Sequence, residues 1–333
     1  MSIAGQFKFV VVAGTAATVA LTTVSTATLA QKIRLGDAGT MSIEKLVEAV
    51  AMEHAKKRGV DYVRKSLKSD DIAKQAFISK EVDIVFGSNA YQLVQKLKIP
   101  AKHFFQLRLL AYMPVVNKAT YSNWRDLDGK DFVVHARGSG TEVLAHQMET
   151  AHKIKFKRVS FVPGSQVRAN ALLRGTIKAT YLNIPAVQYL TGKAPGKFKI
   201  LPAGSQSASD SALFARSDFL QKNADKVQII IEELIKVIRK TNENPGYIAA
   251  ERKRLGLMKR LTKNREAGIT PFYKVAAESQ IYPNNGGGVA QAKGDFMFYT
   301  ASGDLKGDPG SFKVKDYWDL RPLNTALKKL GRK

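Results

Sequence analysis

The sequence predicts an α/β protein with two units, and three observations support this. Apolar strands followed by polar turns and amphipathic helical segments occur three times before residue 100 and resume at residue 131. Hydrophobic residues make up 44% of the chain and charged residues 24%, which is ordinary for a protein with a packed core. The 333 residues correspond to about two domains at roughly 150 residues each. Strand-turn-helix repeats of this kind form helix-covered, mostly parallel sheets.

Three β-α units are predicted in the first part of the chain. Residues 32–37 alternate as a strand does, and residues 82–86 form a continuous apolar strand. A further strand is predicted near residues 61–64, and a helix from residue 69 to about 77. The helix after the first strand has its apolar positions at helical spacing, namely Ile43, Leu46, Val47, Val50 and Ala51.

A second unit begins beyond a longer apolar strand, predicted at residues 109–116. The pattern resumes with a strand at 131–135, a glycine-rich loop at 137–141 and a helix at 142–153. A strand at 211–215 then precedes a long amphipathic helix, a basic helical stretch at 246–263 and a last helix at 323–330. The long helix carries the apolar stripe Val227, Ile230, Ile231, Leu234, Ile235 and Ile238.

This order predicts two lobes, one of them discontinuous. The chain leaves the first lobe, builds the second and returns. We expect residues 31–116 plus 212–333 to form the first lobe and residues 117–211 the second.

The residue types present argue against catalysis. The chain has no cysteine, which excludes disulfides, cysteine-ligated metals, iron–sulfur clusters and a cysteine nucleophile. The five histidines form no pair at metal-ligand spacing, and no Gly-x-Ser-x-Gly elbow is present. We therefore expect no enzyme activity, no metal and no cofactor.

The chain is strongly basic, with 53 Lys and Arg against 28 Asp and Glu and a net charge of +25. Basic residues recur throughout and are densest at residues 252–265. This run is interpreted as a solvated helix face, with contact to a polyanion or a membrane surface as the alternative. No nucleic-acid-binding motif accompanies it, so no nucleic-acid partner is expected.

The N-terminus has the pattern of a secretory signal peptide. Lys8 precedes an uncharged stretch from residue 9 to residue 30, and small residues offer cleavage sites after Ala27 or Ala30. The alternative is a retained membrane anchor, because 22 residues can span a bilayer. We expect cleavage near Ala30 and a mature protein in the periplasm.

The order of several segments resembles the type II periplasmic substrate-binding proteins of ABC importers, especially the sulfonate, nitrate, taurine and thiamine-pyrimidine-precursor groups. The resemblance spans nearly all of residues 32–331 and implies a two-lobed α/β fold that binds ligand in a cleft between the lobes. It implies binding rather than catalysis, a permease as partner, a hinge motion and a monomer. The matching segments are IRLGDAGT, EVDIVFGSNA, LDGKDFVVHARGSGTEV, GTIKATYLNIPAV, SALFARSDFLQKNADKV and KVKDYWDLRPLNTALKKLG.

The ligand site is predicted at the turns that follow the strands, because open parallel sheets bind ligands beyond the carboxyl ends of their strands. The loop from Arg137 to Thr141 is the strongest candidate. Gly140 allows close backbone approach, Ser139 and Thr141 offer hydroxyls, and Arg137 can bind a carboxylate or sulfonate. The alternative is a simple helix cap with Arg137 in solvent.

Other strand ends supply further candidates. Asp37 either caps the next helix or binds an ammonium or hydroxyl of the ligand, and Tyr181 either packs on the ligand or belongs to the core. The complete set of predicted ligand-binding residues is Asp37, Thr40, Ser88, Asn89, Arg137, Ser139, Gly140, Thr141, Tyr181 and Asn183.

The sequence therefore predicts a periplasmic receptor that closes on a small organic anion, sulfonate- or carboxylate-like, and delivers it to an ABC permease. A receptor of a TRAP-type importer, TAXI-like, is the alternative within transport. A secreted basic protein that binds polyanions is the alternative of a different class.

We predict that export removes about 27–30 residues, because the small-residue exit follows an uncharged stretch. Intact-mass measurement of protein from a periplasmic extract checks this. Membrane-bound material that retains Met1 would contradict it.

Overall fold

The structure is a computed structural model that describes residues 32–203, 208–301 and 303–333. The predicted signal peptide lies outside the described residues. The strands are β1 (Ile33–Ala38), β2 (Tyr62–Leu67), β3 (Ile84–Ser88), β4 (Ala101–Leu109), β5 (Tyr112–Asn117), β6 (Asp131–Val134), β7 (Arg158–Phe161), β8 (Ala179–Asn183), β9 (Phe198–Ile200) and β10 (Ser209–Arg216).

Helices cover both sheets. They are α1 (Leu46–Lys57), α2 (Asp70–Ile78), α3 (Tyr91–Gln95), α4 (Gly140–His152), α5 (Ser165–Arg174), α6 (Ile184–Lys193), α7 (Ser217–Lys222), α8 (Ala224–Glu243), α9 (Gly246–Arg254), α10 (Lys263–Ala267), α11 (Ile269–Glu278), α12 (Val289–Ala301), α13 (Val314–Tyr317) and α14 (Arg321–Leu330). Within the described ranges, no helix combines the length and apolar character needed to cross a membrane.

The strands form two five-stranded sheets, which confirms the α/β class. The first sheet has the order β2-β1-β3-β10-β4 and the second β7-β6-β8-β5-β9. In each, the first three strands are parallel, whereas the entering strand, β10 or β5, runs antiparallel to both neighbours. The sheets are therefore mixed, with one strand of five reversed in each, because the strand that enters from the other sheet arrives in the opposite direction.

The chain passes between the sheets twice, and both passages lie at the carboxyl ends of the parallel strands. Leu110 and Ala111 join β4 to β5, and the chain returns between β9 and β10. The pairing of Ser209 with Leu109 and of Tyr112 with Asn183 places both passages at these ends. We call the surface where the two carboxyl edges meet the seam.

The largest core cluster lies under the long helix α8. All six residues of its predicted apolar stripe are buried, which confirms that stripe. The cluster also includes Val47 and Val50 of α1, Phe272 of α11 and Leu327 of α14. Four elements thus bury their apolar faces together beside the first sheet.

Two predicted elements are wrong in extent. Residues 109–116 are not one strand, since β4 ends at Leu109 and β5 starts at Tyr112. The basic stretch 246–263 is not one helix either. It breaks after Arg254, where Met258 has a φ of 50° and the Arg252 guanidinium donates to the carbonyls of Leu257 and Met258.

A buried hydrogen-bond network ties α12 to the start of β10. Asp295 is fully buried and accepts the backbone N–H of Ser209 at 2.7 Å and the Tyr91 hydroxyl at 2.7 Å. The indole of Trp318 donates to the same Tyr91 oxygen at 3.0 Å. Burial raises the pKa of Asp295 to about 6, although these hydrogen bonds oppose the shift.

This raised pKa predicts a pH-dependent stability. The folded state binds the Asp295 proton more tightly than the unfolded state, so the stability that this proton contributes is complete below pH 4 and is lost as the pH rises through about 6. Between pH 4 and 7, the unfolding free energy of the wild type should fall by about 2 kcal/mol relative to Asp295→Asn, because the unfolded carboxyl is already partly ionised at pH 4. Urea denaturation of both proteins across this range measures the difference, and parallel profiles would contradict it.

Candidate functional site

The seam brings charged side chains of the first sheet and of the turn before α1 to one small cavity, together with neutral polar side chains of the second sheet. Glu44, Arg108, Tyr112, Asn183 and Asp210 line it, and its volume is about 20 Å³. This is room for about one water molecule. A ligand of several heavy atoms therefore enters only if the two sheets separate or these side chains move.

Arg108 is the central cation of the seam. It is the second-last residue of β4 and is 7% exposed. Its guanidinium lies 3.2 Å from the Asp210 carboxylate and 3.6 Å from the Glu44 carboxylate. Burial alone would lower the pKa of Arg108, but the nearby acidic groups outweigh it and hold the pKa well above its ordinary value.

The two acidic residues beside Arg108 are held in unfavourable surroundings for a charge. Burial raises the pKa of Glu44 and of Asp210, and Arg108 opposes the shift in both. Asp210 also accepts a hydrogen bond from the Tyr112 hydroxyl. One guanidinium thus serves two partly buried carboxylates, and neither carboxylate is fully compensated by it.

Arg168 is a second buried cation of this region, and its hydrogen-bond partners are neutral. It donates to the Val162 carbonyl at 2.7 Å, to the Tyr181 carbonyl at 3.0 and 3.1 Å and to the Ser165 hydroxyl at 3.1 Å. No carboxylate of the described residues forms an ion pair with it. Burial lowers the pKa of Arg168 to about 10, and its charge in turn lowers the pKa of Glu44.

Asp37, predicted to bind ligand, lies at the end of β1 and is fully buried. Its carboxylate is 2.6 Å from the Lys45 ammonium and 2.8 Å from the Arg64 guanidinium. Lys45 also donates to the Ala38 carbonyl at 2.5 Å. These two partners satisfy Asp37 within the first sheet. Thr40 lies beyond the turn at Gly39 and is exposed.

The turn after β3 holds two further predicted residues. Ser88 ends β3, and its side chain lies outside the described part of the structure. Asn89 is buried and its side-chain oxygen accepts the backbone N–H of Tyr91 at 3.4 Å, so it helps to begin α3.

The loop at residues 137–141 is held together by its own side chains. The Ser139 hydroxyl donates to the Ala136 carbonyl at 2.7 Å, and the Thr141 oxygen accepts the backbone N–H of His135 at 2.9 Å. Both side chains are buried. Their hydroxyls thus stabilise the loop, and direct contact with a ligand stays a prediction.

The other members of that loop face the chain passage and the surface. A Cβ on Gly140 would lie 2.7 Å from Cδ2 of Leu110, so a larger residue at the start of α4 would require the Leu110 side chain to shift. Arg137 is exposed and stacks on Phe161 with 5.3 Å between guanidinium and ring centroid.

Tyr181 and Asn183 of β8 occupy different surroundings. Tyr181 is 1% exposed in the core of the second sheet, and its hydroxyl donates to the Leu144 carbonyl at 3.4 Å. Asn183 caps α6 by accepting the backbone N–H of Ala186 at 3.1 Å, and its amide also donates to Glu44. Of the ten predicted residues, Asn183 is the one that lines the seam cavity.

A wider groove opens elsewhere between elements of the two sheets. Its volume is about 480 Å³, and its lining includes Lys74 and Asp71 of α2, Arg137, Gly138 and His146. The Lys74 ammonium is 3.5 Å from the Gly138 carbonyl, and burial lowers the pKa of Lys74.

A second contact in this part of the molecule joins α2 to the end of β6. The Asp70 carboxylate lies 3.3 Å from Nε2 of His135, while Nδ1 of His135 accepts the backbone N–H of Gly164 at 3.0 Å. Burial would raise the pKa of Asp70, but His135 and the nearby lysines outweigh it and lower that pKa.

Sequence reasoning missed Glu44, Arg108 and Arg168. Arg108 had a detectable signal, since it is a lone charge within the apolar run from Phe104 to Leu110. Such a residue is rarely buried without a partner. Arg168 had no comparable signal, because it lies in a helix with polar neighbours.

The fold was compared with solved structures. A structure from Bordetella bronchiseptica RB50 matches with a TM-score of 0.70 and 20% identity, covering 90% of this chain and 98% of that one. The nitrate-binding protein NrtA from Synechocystis PCC 6803 matches with a TM-score of 0.64 and 11% identity, covering 90% and 89%. The alkanesulfonate-binding protein SsuA from Xanthomonas axonopodis pv. citri, bound to MOPS, matches with a TM-score of 0.62 and 14% identity, covering 83% and 94%.

The chain has the periplasmic binding protein fold. Its structural relatives include sulfonate- and nitrate-binding proteins, as the order of the sequence segments predicted. No protein-family model matches the sequence, and no curated protein matches it by sequence. At these identities the likeness shows the fold alone.

The contacts of the 137–141 loop predict a stability effect. Thr141→Ala should lower the unfolding free energy by about 1–3 kcal/mol, because the buried N–H of His135 loses its acceptor. Thr150→Ala is the matched control, since Thr150 is an exposed threonine of the same helix whose hydroxyl donates to the His146 carbonyl. Thermal melts compare the two. Equal melting temperatures would show that this hydroxyl does not stabilise the loop.

Proposed function

We propose that this protein is a periplasmic receptor that binds a small organic anion, sulfonate- or carboxylate-like, at the seam and delivers it to the permease of an ABC importer. The single observation that carries the proposal is the presence of two buried guanidiniums, Arg108 and Arg168, in the seam region. Arg108 is paired with Asp210 and Glu44, whereas Arg168 has no carboxylate partner among the described residues. A buried guanidinium of the second kind favours an anion nearby, because charge in a desolvated site is costly unless it is compensated.

The fold supports a binding role for the seam. Carboxyl ends of parallel strands from both sheets face it, which is the usual place for a ligand in open α/β sheets. Asn183 adds an amide donor and Tyr112 a hydroxyl from the second sheet. Together with Arg108, these groups can hydrogen-bond the oxygens of a sulfonate or carboxylate.

The proposed cycle includes a hinge motion of two lobes. We assign residues 31–116 plus 212–333 to one lobe and 117–211 to the other, with the two chain passages a few residues from these boundaries. The contacts that join groups of these lobes include Glu44 with Asn183, Asp70 with His135 and Lys74 with Gly138. A ligand that adds contacts only when the lobes are together shifts the equilibrium toward closure.

Export and partner choice follow from the sequence pattern and from the relatives. The segment before residue 31 is proposed to be a cleaved signal peptide, and the mature chain a periplasmic monomer. The relatives are sulfonate- and nitrate-binding proteins, one of them described as part of an ABC transporter, which favours an ABC permease over a TRAP-type importer.

The rival proposal, polyanion binding, has its own observation. Lys259, Arg260, Lys263 and Arg265 are exposed and form no ion pair with any carboxylate that the structure describes. Salt separates the two proposals. Affinity for a polyanion falls steeply with salt because counterions are released, whereas one small anion at a buried site depends on salt far less.

The test of the seam replaces Arg168, the buried cation of this region that has no carboxylate partner among the described residues. Arg168→Met should weaken binding of a sulfonate probe by about tenfold or more, because the charge that favours an anion is lost. Methanesulfonate, MOPS, acetate and nitrate are first screened by thermal shift, since binding raises the melting temperature. Calorimetry then measures the dissociation constant of the best probe.

Arg239→Met is the matched control for the loss of a buried guanidinium. Arg239 also donates to carbonyls, those of Asn284, Leu330 and Gly331, but it lies beside the C-terminus. It should lower stability and leave affinity unchanged. Equal affinity of both variants and the wild type would refute the seam as the anion site.

A further inference from the structure

Glu44 is an acidic residue in a site that is proposed to bind an anion. Hydrogen bonds from neighbouring side chains fix its backbone in place. It belongs to the short helical turn Ile43–Lys45 between β1 and α1. The Tyr282 hydroxyl donates to its carbonyl at 2.7 Å, and the Tyr273 hydroxyl donates to the Ile43 carbonyl at 2.7 Å. Two buried tyrosines thus fix the backbone from which the carboxylate reaches into the seam.

The Glu44 side chain takes the donors that an anionic ligand would use. It accepts from the Asn183 amide, and its other oxygen lies 3.6 Å from the Arg108 guanidinium. Because the cavity beside it holds only about 20 Å³, a sulfonate or carboxylate cannot reach both donors while this carboxylate remains there.

We infer that Glu44 is a tethered competitor of the ligand: its carboxylate and the ligand's anionic group occupy the same place between Arg108 and Asn183 in alternation. This inference rests on the proposed anion-binding function. Glu44 then lowers the apparent affinity of every anion for these donors by the same factor, so only an anion that binds them tightly displaces it. A sulfonate offers three acceptor oxygens to these donors, whereas a carboxylate offers two.

The electrostatics of the seam agree with displacement. Burial raises the pKa of Glu44, and the negative charge of Asp210 adds to this, while Arg108, Lys45 and Arg168 oppose it. The carboxylate is therefore held against a desolvation cost that it would escape by turning toward solvent. Its departure also removes a like charge from the ligand.

The opposite role for Glu44 would be to bind an ammonium group of a zwitterionic ligand. The surroundings disfavour this role, because the neighbours of the carboxylate are a guanidinium and an amide N–H. A ligand cation would have to approach Arg108 directly. The two roles predict affinity changes of opposite sign, which makes the inference testable.

The experiment measures calorimetric dissociation constants of methanesulfonate, acetate and MOPS for four proteins at constant pH and salt. Glu44→Gln removes the charge and keeps the shape, and Glu44→Ala also frees the space. Glu53→Gln is the control for net charge alone, since Glu53 of α1 accepts the Tyr62 hydroxyl away from the seam. The wild type is the reference.

The inference predicts that both Glu44 variants bind methanesulfonate about tenfold tighter than the wild type, and that Glu53→Gln matches the wild type. The gain should be about the same for acetate, because a tethered competitor lowers the affinity of every anion by the same factor. Unchanged or weaker binding by both Glu44 variants, beside measurable wild-type binding, would overturn the inference and leave anion binding intact.

Two further outcomes of this experiment would have different consequences. Weaker binding of MOPS alone, with methanesulfonate unaffected, would assign Glu44 to a ligand cation and overturn the inference. Absence of binding by all four proteins for every probe would overturn the proposed anion receptor and the inference with it. Thermal melts of the same samples show that each variant is folded.

Discussion

The exchange of strands between the two sheets is the constraint on which the site depends. β10 enters the first sheet between β3 and β4, and β5 enters the second between β8 and β9. Both strands are antiparallel to their neighbours, so both chain passages lie at the carboxyl ends of the parallel strands. This connectivity brings Arg108, Asp210 and Asn183 together, although they are far apart in the sequence.

The meeting of the two sheet edges causes the burial of charged side chains. Once the edges of two sheets meet, a guanidinium on β4 is removed from water and must be compensated by carboxylates from other segments. Glu44 and Asp210 do this at the cost of raised pKa values. The hydrogen bonds from Ser209 and Tyr91 to Asp295 then hold the return strand in place. The electrostatics of the seam are a consequence of topology.

Local sequence patterns were sufficient to predict most of the fold but only a small part of the site. The stripe of α8 is visible because one helix face is buried against one core, and the β-α order is visible because each unit is local. Strand β4 was missed because His103, Gln106 and Arg108 interrupt its apolar run, and their partners lie elsewhere in the chain. Asn183 was found by its place at a strand end, whereas the pairing of Glu44 with Arg108 is a long-range contact that no local pattern encodes.

The most direct measurement is a crystal structure with 2-bromoethanesulfonate, whose bromine is located by anomalous scattering. We predict a sulfonate within hydrogen-bonding distance of the Arg108 guanidinium and the Asn183 amide, with the Glu44 carboxylate turned away from both. Bromine beside Arg137 in the wider groove, with Glu44 still bonded to Asn183, would contradict it.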